Sequence, residues 1–172
     1  PHSSLPVSGV PPGLPNKTGA LLKQILQGAV RVFNSAGCEL AGGHTSESAE
    51  ITVGFSVTGV AHPDALTPKS GMQAGDCLIL TKPIGTGVIF AADMRALATG
   101  TWVHDAIACA LISNGPAAEI LRAEGATACT DVTGFGLAGH AIEMARASDR
   151  PITLALSDVP VLSGASNLLS AG

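Results

Sequence analysis

Charged and aromatic residues are scarce in this sequence, and tyrosine is absent. Of the 172 residues, only 13% are charged and 3% are aromatic, and the formal net charge is −4. Lysine and arginine form no cluster, which argues against a nucleic-acid partner because binding to a phosphate backbone needs a concentrated basic face. Hydrophobic residues make up 46% of the chain, enough to form a core that offsets the entropy of ordering. The composition predicts a folded protein of one domain or two small ones.

Long apolar runs are also missing. No stretch reaches the ~20 residues that a membrane helix needs, and the N-terminus lacks the basic-then-apolar layout of a signal peptide. We therefore expect no membrane partner and a cytoplasmic location.

Cysteine and histidine patterns that hold metals are absent from the sequence. The four cysteines include no C-x-x-C pair, and the five histidines include no H-E-x-x-H motif. The sequence therefore predicts no zinc site, no disulfide framework and no histidine-built metal site. Buried free thiols are the expected state of the cysteines.

The first 61 residues predict a loop, a helix and a strand. Five prolines in residues 1–16 predict an irregular lead-in, because proline fixes φ and has no backbone donor. From Gly19 to Gly37, apolar residues recur every three or four positions, which predicts an amphipathic helix ended by Gly37. Alternation from Ile51 to Ala61 predicts a strand with one buried face.

A polar connection rich in proline and glycine starts at His62 and predicts a domain boundary, with domains at 1–61 and 62–172. Beyond it, apolar runs predict strands at 77–80, 126–130 and 152–156, and helical spacing predicts helices at 88–97, 103–113, 117–125, 134–147 and from 162 onward. Because strands and helices alternate, the predicted class is α/β or α+β with mixed sheets.

The segment T-D-V-T-G-F-G-L-A-G-H at 130–140 is the first candidate site. Asp131 is predicted to leave a strand just before a helix that glycines open, where backbone amides favour anions and a carboxylate can hold Mg²⁺ beside phosphates. The alternative is that Asp131 or Thr133 simply caps the helix. From spacing alone the two interpretations stay open, and Asp76 and Glu143 receive no role.

The second candidate is the A-G-G-H-T segment at 41–45. Adjacent glycines at Gly42 and Gly43 let backbone amides approach a phosphate closely, while His44 and Thr45 add donors. The alternative is an ordinary turn with an exposed histidine. A third segment, Lys82 with the G-T-G at 85–87, lacks the full phosphate-loop pattern and is interpreted as a structural turn.

These segments occur in one order: A-G-G-H-T, a strand ending in T-G-V, L-T-K-P-I-G-T-G, and T-D-V-T-G-F-G-L-A-G-H. In that order they resemble selenophosphate synthetase over about residues 21–164. The resemblance implies a two-domain architecture related to aminoimidazole ribonucleotide synthetase, incomplete here at both ends. It also implies a homodimer with ATP sites shared across the interface.

The resemblance further implies an enzyme that makes selenophosphate, AMP and orthophosphate from ATP, selenide and water. Asp131 is similar to the family's metal-binding aspartate, implying Mg²⁺, and Gly42, Gly43, His44 and Thr45 are similar to its ATP-contacting loop. The family's catalytic cysteine or selenocysteine and its lysine have no counterpart here, so the catalytic residues are unknown. The chain alone is therefore expected to be inactive.

Two other interpretations stay open. One is another ATP-dependent enzyme of the same superfamily, such as an aminoimidazole ribonucleotide synthetase, a thiamine monophosphate kinase or the hydrogenase-maturation dehydratase. The other is a non-catalytic module that binds nucleotide or drives oligomerisation.

Overall fold

The computed structural model describes residues 1–171, and contacts between residues divide the chain into two compact units. The first unit runs from Pro1 to Asp64, and the second begins at Ala65. The division expected from sequence, between residues 61 and 62, lies beside this boundary. As a domain assignment it stays a prediction.

The first unit is a four-stranded sheet with one long helix. Its elements are β1 (Ser3–Val10), α1 (Pro15–Ser35), β2 (Glu39–Leu40), β3 (His44–Glu47) and β4 (Thr52–Thr58). β4 pairs antiparallel with β1 along nearly its whole length, so β2 and β3 share the other edge of β1, both parallel to it. The crossover from β1 through α1 to β2 and β3 joins these parallel strands.

The central strand β1 corrects the expected N-terminal loop. Prolines had predicted irregular structure for residues 1–16, yet Pro6 lies within β1. β2 pairs with Ser3 and Ser4 and β3 pairs from Val7 onward, so Pro6 falls in the gap between the two partners. The missing backbone donor of Pro6 therefore costs little at this position. The prolines that do interrupt regular structure are those between β1 and α1.

The predicted amphipathic helix is confirmed as α1, although it starts earlier, with Pro15 in its first turn. At its end, the N–H of Cys38 donates to Phe33 O at 2.9 Å and the N–H of Gly37 donates to Asn34 O at 3.2 Å. This double closure is the Schellman arrangement that glycine favours after a helix. Phe33 packs edge-on against Phe55 of β4, with ring centroids 5.2 Å apart.

The predicted strand at 51–61 is confirmed as β4, but its expected buried face is not. Val53, Phe55 and Val57 are 43%, 42% and 52% exposed. They lie opposite Ser8, Pro6 and Ser4, the buried side of β1. α1 covers this face only in part, because none of its residues is fully buried.

The second unit is helical. Its α-helices are α2 (Thr86–Asp93), α3 (Gly100–Leu111), α4 (Gly115–Ala123), α5 (Gly136–Ser148) and α6 (Ser163–Ala171). The fully buried residues Ile89, Ala106 and Ala165 bring α2, α3 and α6 together, and Trp102 packs against them. All the predicted helices of this region are present, each with shifted ends.

Three strands predicted for this region are not formed within the described residues. The segments at 77–80, 126–130 and 152–156 belong to no strand, and the ladder contact here is an isolated parallel bridge between Ile84 and Val161. A strand exists only when a neighbour completes its hydrogen-bond ladder. These segments have the composition of strands but no paired partner among residues 1–171. The α/β class itself is confirmed by the parallel strands of the first unit and the helix that connects them.

Among the described residues, no helix combines the length and apolar character required to cross a membrane.

Candidate functional site

The A-G-G-H-T segment forms the turn that leads from β2 into β3. A Cβ atom at Gly43 would lie 2.6 Å from Pro6 O and 2.8 Å from Pro6 Cγ, so only glycine lets β3 begin this close to β1. A Cβ at Gly42 would meet only Leu5 Cδ2, at 3.4 Å. The alternative interpretation of a turn thus explains Gly43 but leaves Gly42 without a packing requirement.

This turn also lines a small cavity of the first unit. The cavity has a volume of about 200 Å³ and is lined by the turn together with β1, α1 and β2, through Pro6, Ser8, Leu26, Leu40, Gly42, Gly43, His44 and Thr45. Sites for drug-sized ligands typically have volumes of about 300–1,000 Å³. The cavity is therefore large enough for a phosphate group and too small to enclose a nucleotide.

The polar groups of this cavity suit an anion. Gly42, Gly43, His44 and Thr45 are all exposed. Within residues 1–171, the N–H groups of Gly42 and Gly43 donate to no backbone carbonyl. Such free amides can bind phosphate oxygens. All four residues named for ATP binding therefore lie together, and their role in binding stays a prediction.

The T-D-V-T-G-F-G segment forms an exposed loop before α5. α5 begins at Gly136, with Phe135 as its N-cap residue and no side-chain capping bond. The interpretation of Asp131 or Thr133 as that cap is therefore wrong, because both stand too far ahead of the helix. The expected strand before Asp131 is also absent. Instead, Thr133 O accepts a hydrogen bond from the N–H of Gly136 at 2.9 Å, which closes a turn.

The carboxylate of Asp131 is available to a ligand. Asp131 is exposed, its backbone carbonyl accepts from Thr130 Oγ1 at 3.2 Å, and its carboxylate takes part in no hydrogen bond or ion pair within residues 1–171. No group of three or more potential ligands that could hold a metal ion occurs in the described part of the chain. Mg²⁺ commonly binds through one or two carboxylates plus substrate phosphates. One free carboxylate fits that arrangement.

Sequence reasoning missed the residue that anchors this loop. His140, buried on α5, accepts a hydrogen bond at Nε2 from the N–H of Thr133 at 3.1 Å, and Thr133 Oγ1 lies 3.0 Å from the same nitrogen. One signal was present. His140 stands four residues before the apolar Met144, and helical spacing places such a pair on one face of α5, the face that is buried in the structure.

A lysine–glutamate ion pair lies beside the other nitrogen of the His140 ring. Lys69 Nζ lies 2.7 Å from Glu143 Oε1, and Glu143 Oε2 lies 3.6 Å from His140 Nδ1. The contact with Lys69 is the main reason that the pKa of the Glu143 carboxyl is lowered. Glu143, to which the sequence assigned no role, thus links Lys69 to the histidine that holds the loop.

Further hydrogen bonds join the segment around Lys69 to the segment preceding the loop. Cys129 N–H donates to Pro68 O at 2.9 Å, and Gly71 N–H donates to Ser148 Oγ on α5 at 3.2 Å. The hydroxyl of Thr127 donates to Asp76 Oδ2 at 2.6 Å and lowers the pKa of that carboxyl, assisted by the N–H of Gln73. The segment from which the exposed Asp131 loop starts is therefore held in place by hydrogen bonds.

Lys82 is engaged in the structure. Its Nζ donates to Ile112 O at 2.9 Å, and the next residues form the bridge between Ile84 and Val161 before α2 begins. This arrangement agrees with the interpretation of residues 82–87 as a structural turn.

Comparison with protein families matches both units of the chain. Residues 7–61 match the N-terminal domain of AIR synthase related protein, and residues 73–169 match its C-terminal domain. The cavity turn falls within the first match and the Asp131 loop within the second.

The chain is also similar to proteins named selenide, water dikinase. The one from Trichlorobacter lovleyi is 41% identical over 152 residues, covering 88% of this chain and 44% of that protein. The one from Geobacter metallireducens is 41% identical over 154 residues, covering 90% and 45%. The one from Rhizobium meliloti is 41% identical over 152 residues, covering 88% and 43%.

These similarities confirm the resemblance that the motifs indicated. The chain spans less than half the length of these relatives. Because both domain descriptions match in order, and the second alone covers more than half of the residues, the chain belongs to the AIR synthase related protein family.

Proposed function

We propose that this chain forms part of a selenide, water dikinase, which makes selenophosphate, AMP and orthophosphate from ATP, selenide and water. Relatives that carry this name are about 41% identical to most of the chain. The observation that carries the proposal is the free, exposed carboxylate of Asp131 on a loop just before the N-terminus of α5. A Mg²⁺ ion held by Asp131 would neutralise phosphate charge beside helix amides that favour anions.

The cavity turn supplies the second half of the proposal. Gly42, Gly43, His44 and Thr45 are proposed to contact phosphate oxygens of ATP through backbone amides, a ring nitrogen and a hydroxyl. The cavity volume of about 200 Å³ suits part of the nucleotide. A site shared between subunits of a homodimer, as the family resemblance implies, would supply the remaining contacts.

Self-association of the first unit is part of this proposal. Leu5 and Val7 of β1 are 45% and 53% exposed, on the sheet face opposite the buried Ser4 and Ser8. Apolar surface of this kind favours contact with another subunit. Light scattering of the purified chain should give a dimer, and a clean monomer at all concentrations would contradict this part of the proposal. The cytoplasmic location stays a prediction.

The metal role of Asp131 can be tested on the chain itself. Mn²⁺, a paramagnetic substitute for Mg²⁺, should broaden the amide NMR signals around residue 131, and Asp131→Asn should weaken this effect about tenfold or more because a ligating carboxylate is lost. Asp105→Asn is the matched control, since Asp105 is also exposed and lies on α3. Equal broadening in wild type and Asp131→Asn would refute the assignment.

A non-catalytic nucleotide-binding module is the second candidate. It is favoured by the absence, within residues 1–171, of any group of three or more side chains that could hold a metal. Phosphoryl transfer of this kind needs more than one carboxylate to neutralise clustered phosphates. Both candidates predict no selenide-dependent AMP from the chain alone. Isothermal titration with Mg-ATP separates them, because tight binding to the chain alone indicates a self-sufficient module.

A further inference from the structure

The buried histidine of α5 is hydrogen-bonded to the middle of the Asp131 loop. His140 Nε2 receives the N–H of Thr133 at 3.1 Å and lies 3.0 Å from its hydroxyl. Thr133 stands two positions after Asp131. On the other side of Thr133, its carbonyl receives the N–H of Gly136. Thr133 is therefore held on both sides although it is exposed, as Asp131 and Gly134 are.

The chemistry of the ring defines its orientation. A backbone N–H can only donate, so Nε2 of His140 must carry the lone pair, and in the neutral ring the proton is on Nδ1. Nδ1 is buried and has no hydrogen-bond partner among residues 1–171. It faces Glu143 Oε2 at 3.6 Å, and Glu143 is held by Lys69. In this tautomer Nδ1 and the Glu143 carboxylate are too far apart for a hydrogen bond.

A histidine that only filled the core would not need to accept a hydrogen bond from the loop. Met144, the other buried residue on α5, is apolar and meets the same packing demand. The ring of His140, by contrast, accepts a hydrogen bond from a backbone N–H of the segment that carries Asp131. Residues that orient a metal-ligating group by hydrogen bonds commonly change metal affinity when they are replaced.

We infer that His140 is a positioning residue, which fixes Thr133 through Nε2 and thereby sets where the Asp131 carboxylate meets a divalent cation. The inference rests on the proposed metal role of Asp131. It adds a residue that itself touches neither metal nor phosphate. Lys69 and Glu143 lie on the other side of the ring and make no hydrogen bond to it.

The test compares His140→Gln with His140→Asn. The longer glutamine side chain can place its oxygen near the position of Nε2 and accept the Thr133 N–H, whereas asparagine is too short to reach it. Met144→Leu is the packing control on the same helix. Amide hydrogen exchange of Thr133 reports the contact, and Mn²⁺-induced broadening of the amides at 131–134, without nucleotide, reports cation affinity.

We expect His140→Asn to speed exchange of the Thr133 amide and to weaken Mn²⁺ binding about tenfold, the lower end of the effect of such supporting residues. His140→Gln should restore most of both, and Met144→Leu should match wild type. Equal Mn²⁺ affinity in wild type and His140→Asn would overturn the inference while leaving the proposed function intact. No broadening near residue 131 in wild type would instead overturn the metal role itself, and the inference with it. If His140→Asn does not fold, His140→Gln still tests the inference. Loss of Mn²⁺ affinity in His140→Gln, while the Thr133 amide stays protected from exchange, would contradict it.

Discussion

The two glycine-bearing loops of this chain obey different constraints. In the turn at 41–45, Gly43 is required by the neighbouring strand, because a Cβ there would lie 2.6 Å from Pro6 O. In the loop at 130–136, a Cβ at Gly134 would meet nothing within 4 Å. Packing therefore explains a glycine in the first loop, whereas in the second the anchor is a hydrogen bond from Thr133 to a buried histidine.

This difference teaches how far a glycine motif indicates function. Gly43, at the start of β3, has a sufficient structural reason, so its exposed amide is a consequence of the fold that a phosphate can use. A glycine with open space around it has no such reason. We therefore expect a side chain at Gly43 to act on stability and one at Gly134 to act on ligand binding.

The largest expected effect is that of Gly43→Ala. The new Cβ forces Pro6 or the start of β3 to move, which should lower the free energy of unfolding of the first unit by about 1–3 kcal/mol. Gly42→Ala is the matched control and should cost less, because its nearest contact is the flexible end of Leu5 at 3.4 Å. Urea unfolding followed by NMR signals of β1 measures both. Equal costs for the two variants would contradict the packing explanation.

A smaller effect is expected for Gly136→Ala. Gly136 has φ of +75° at the first position of α5, and an L-residue in this conformation costs about 1–2 kcal/mol. Gly134→Ala should change stability by less than about 0.5 kcal/mol, as for other open surface positions. Urea unfolding of the second unit, followed by Trp102 fluorescence, compares the pair. If Gly134→Ala is the more costly, the loop has a constraint that its open surroundings do not explain.

The smallest effect is expected for Glu143→Gln, and it should depend on pH. Lys69 holds the pKa of Glu143 below its ordinary value of 4.5, so the folded state favours the charged carboxylate. This stabilisation is complete above about pH 4.5 and is lost as the pH falls through the lowered pKa of the folded state. Because Lys69 and Glu143 are 41% and 51% exposed, water and salt weaken the pair.

The difference in melting temperature between wild type and Glu143→Gln should therefore be small at neutral pH and vanish in acid. Glu119→Gln on α4, an exposed glutamate with no ion pair among the described residues, should show no such trend. A difference that grows on acidification would contradict the direction of the pKa shift.

Local sequence patterns predicted the structure correctly where it depends on a single helix or strand. The spacing of apolar residues from Gly19 to Gly37 predicted α1, and the alternation after Ile51 predicted β4, because helical and strand periods are written in consecutive residues. Motif order also indicated the family. The same reasoning failed for Pro6, because whether a strand tolerates proline depends on which partner stands beside it.

In the candidate sites, the sequence motifs identified the exposed residues but not the residues that hold them in place. Asp131, Gly42 and His44 stood out because their residue types suit metals and phosphates. His140 holds Thr133, but its four-residue spacing from Met144 indicates only a shared face of α5 and not which group the ring binds. Lys69 and Glu143 lie far apart in sequence, so their pairing could not be read from spacing.

The sequence by itself determined the helices, the strand β4, the family and the residues whose chemistry suits phosphate and metal, because each depends on side-chain type and local period. Only the tertiary structure decided that β1 is a central strand, that Gly43 must be glycine beside Pro6, and that His140 holds Thr133. These facts depend on atoms brought together from distant parts of the chain. Close approach and hydrogen-bond partnership exist only after folding, which is why no local pattern contains them.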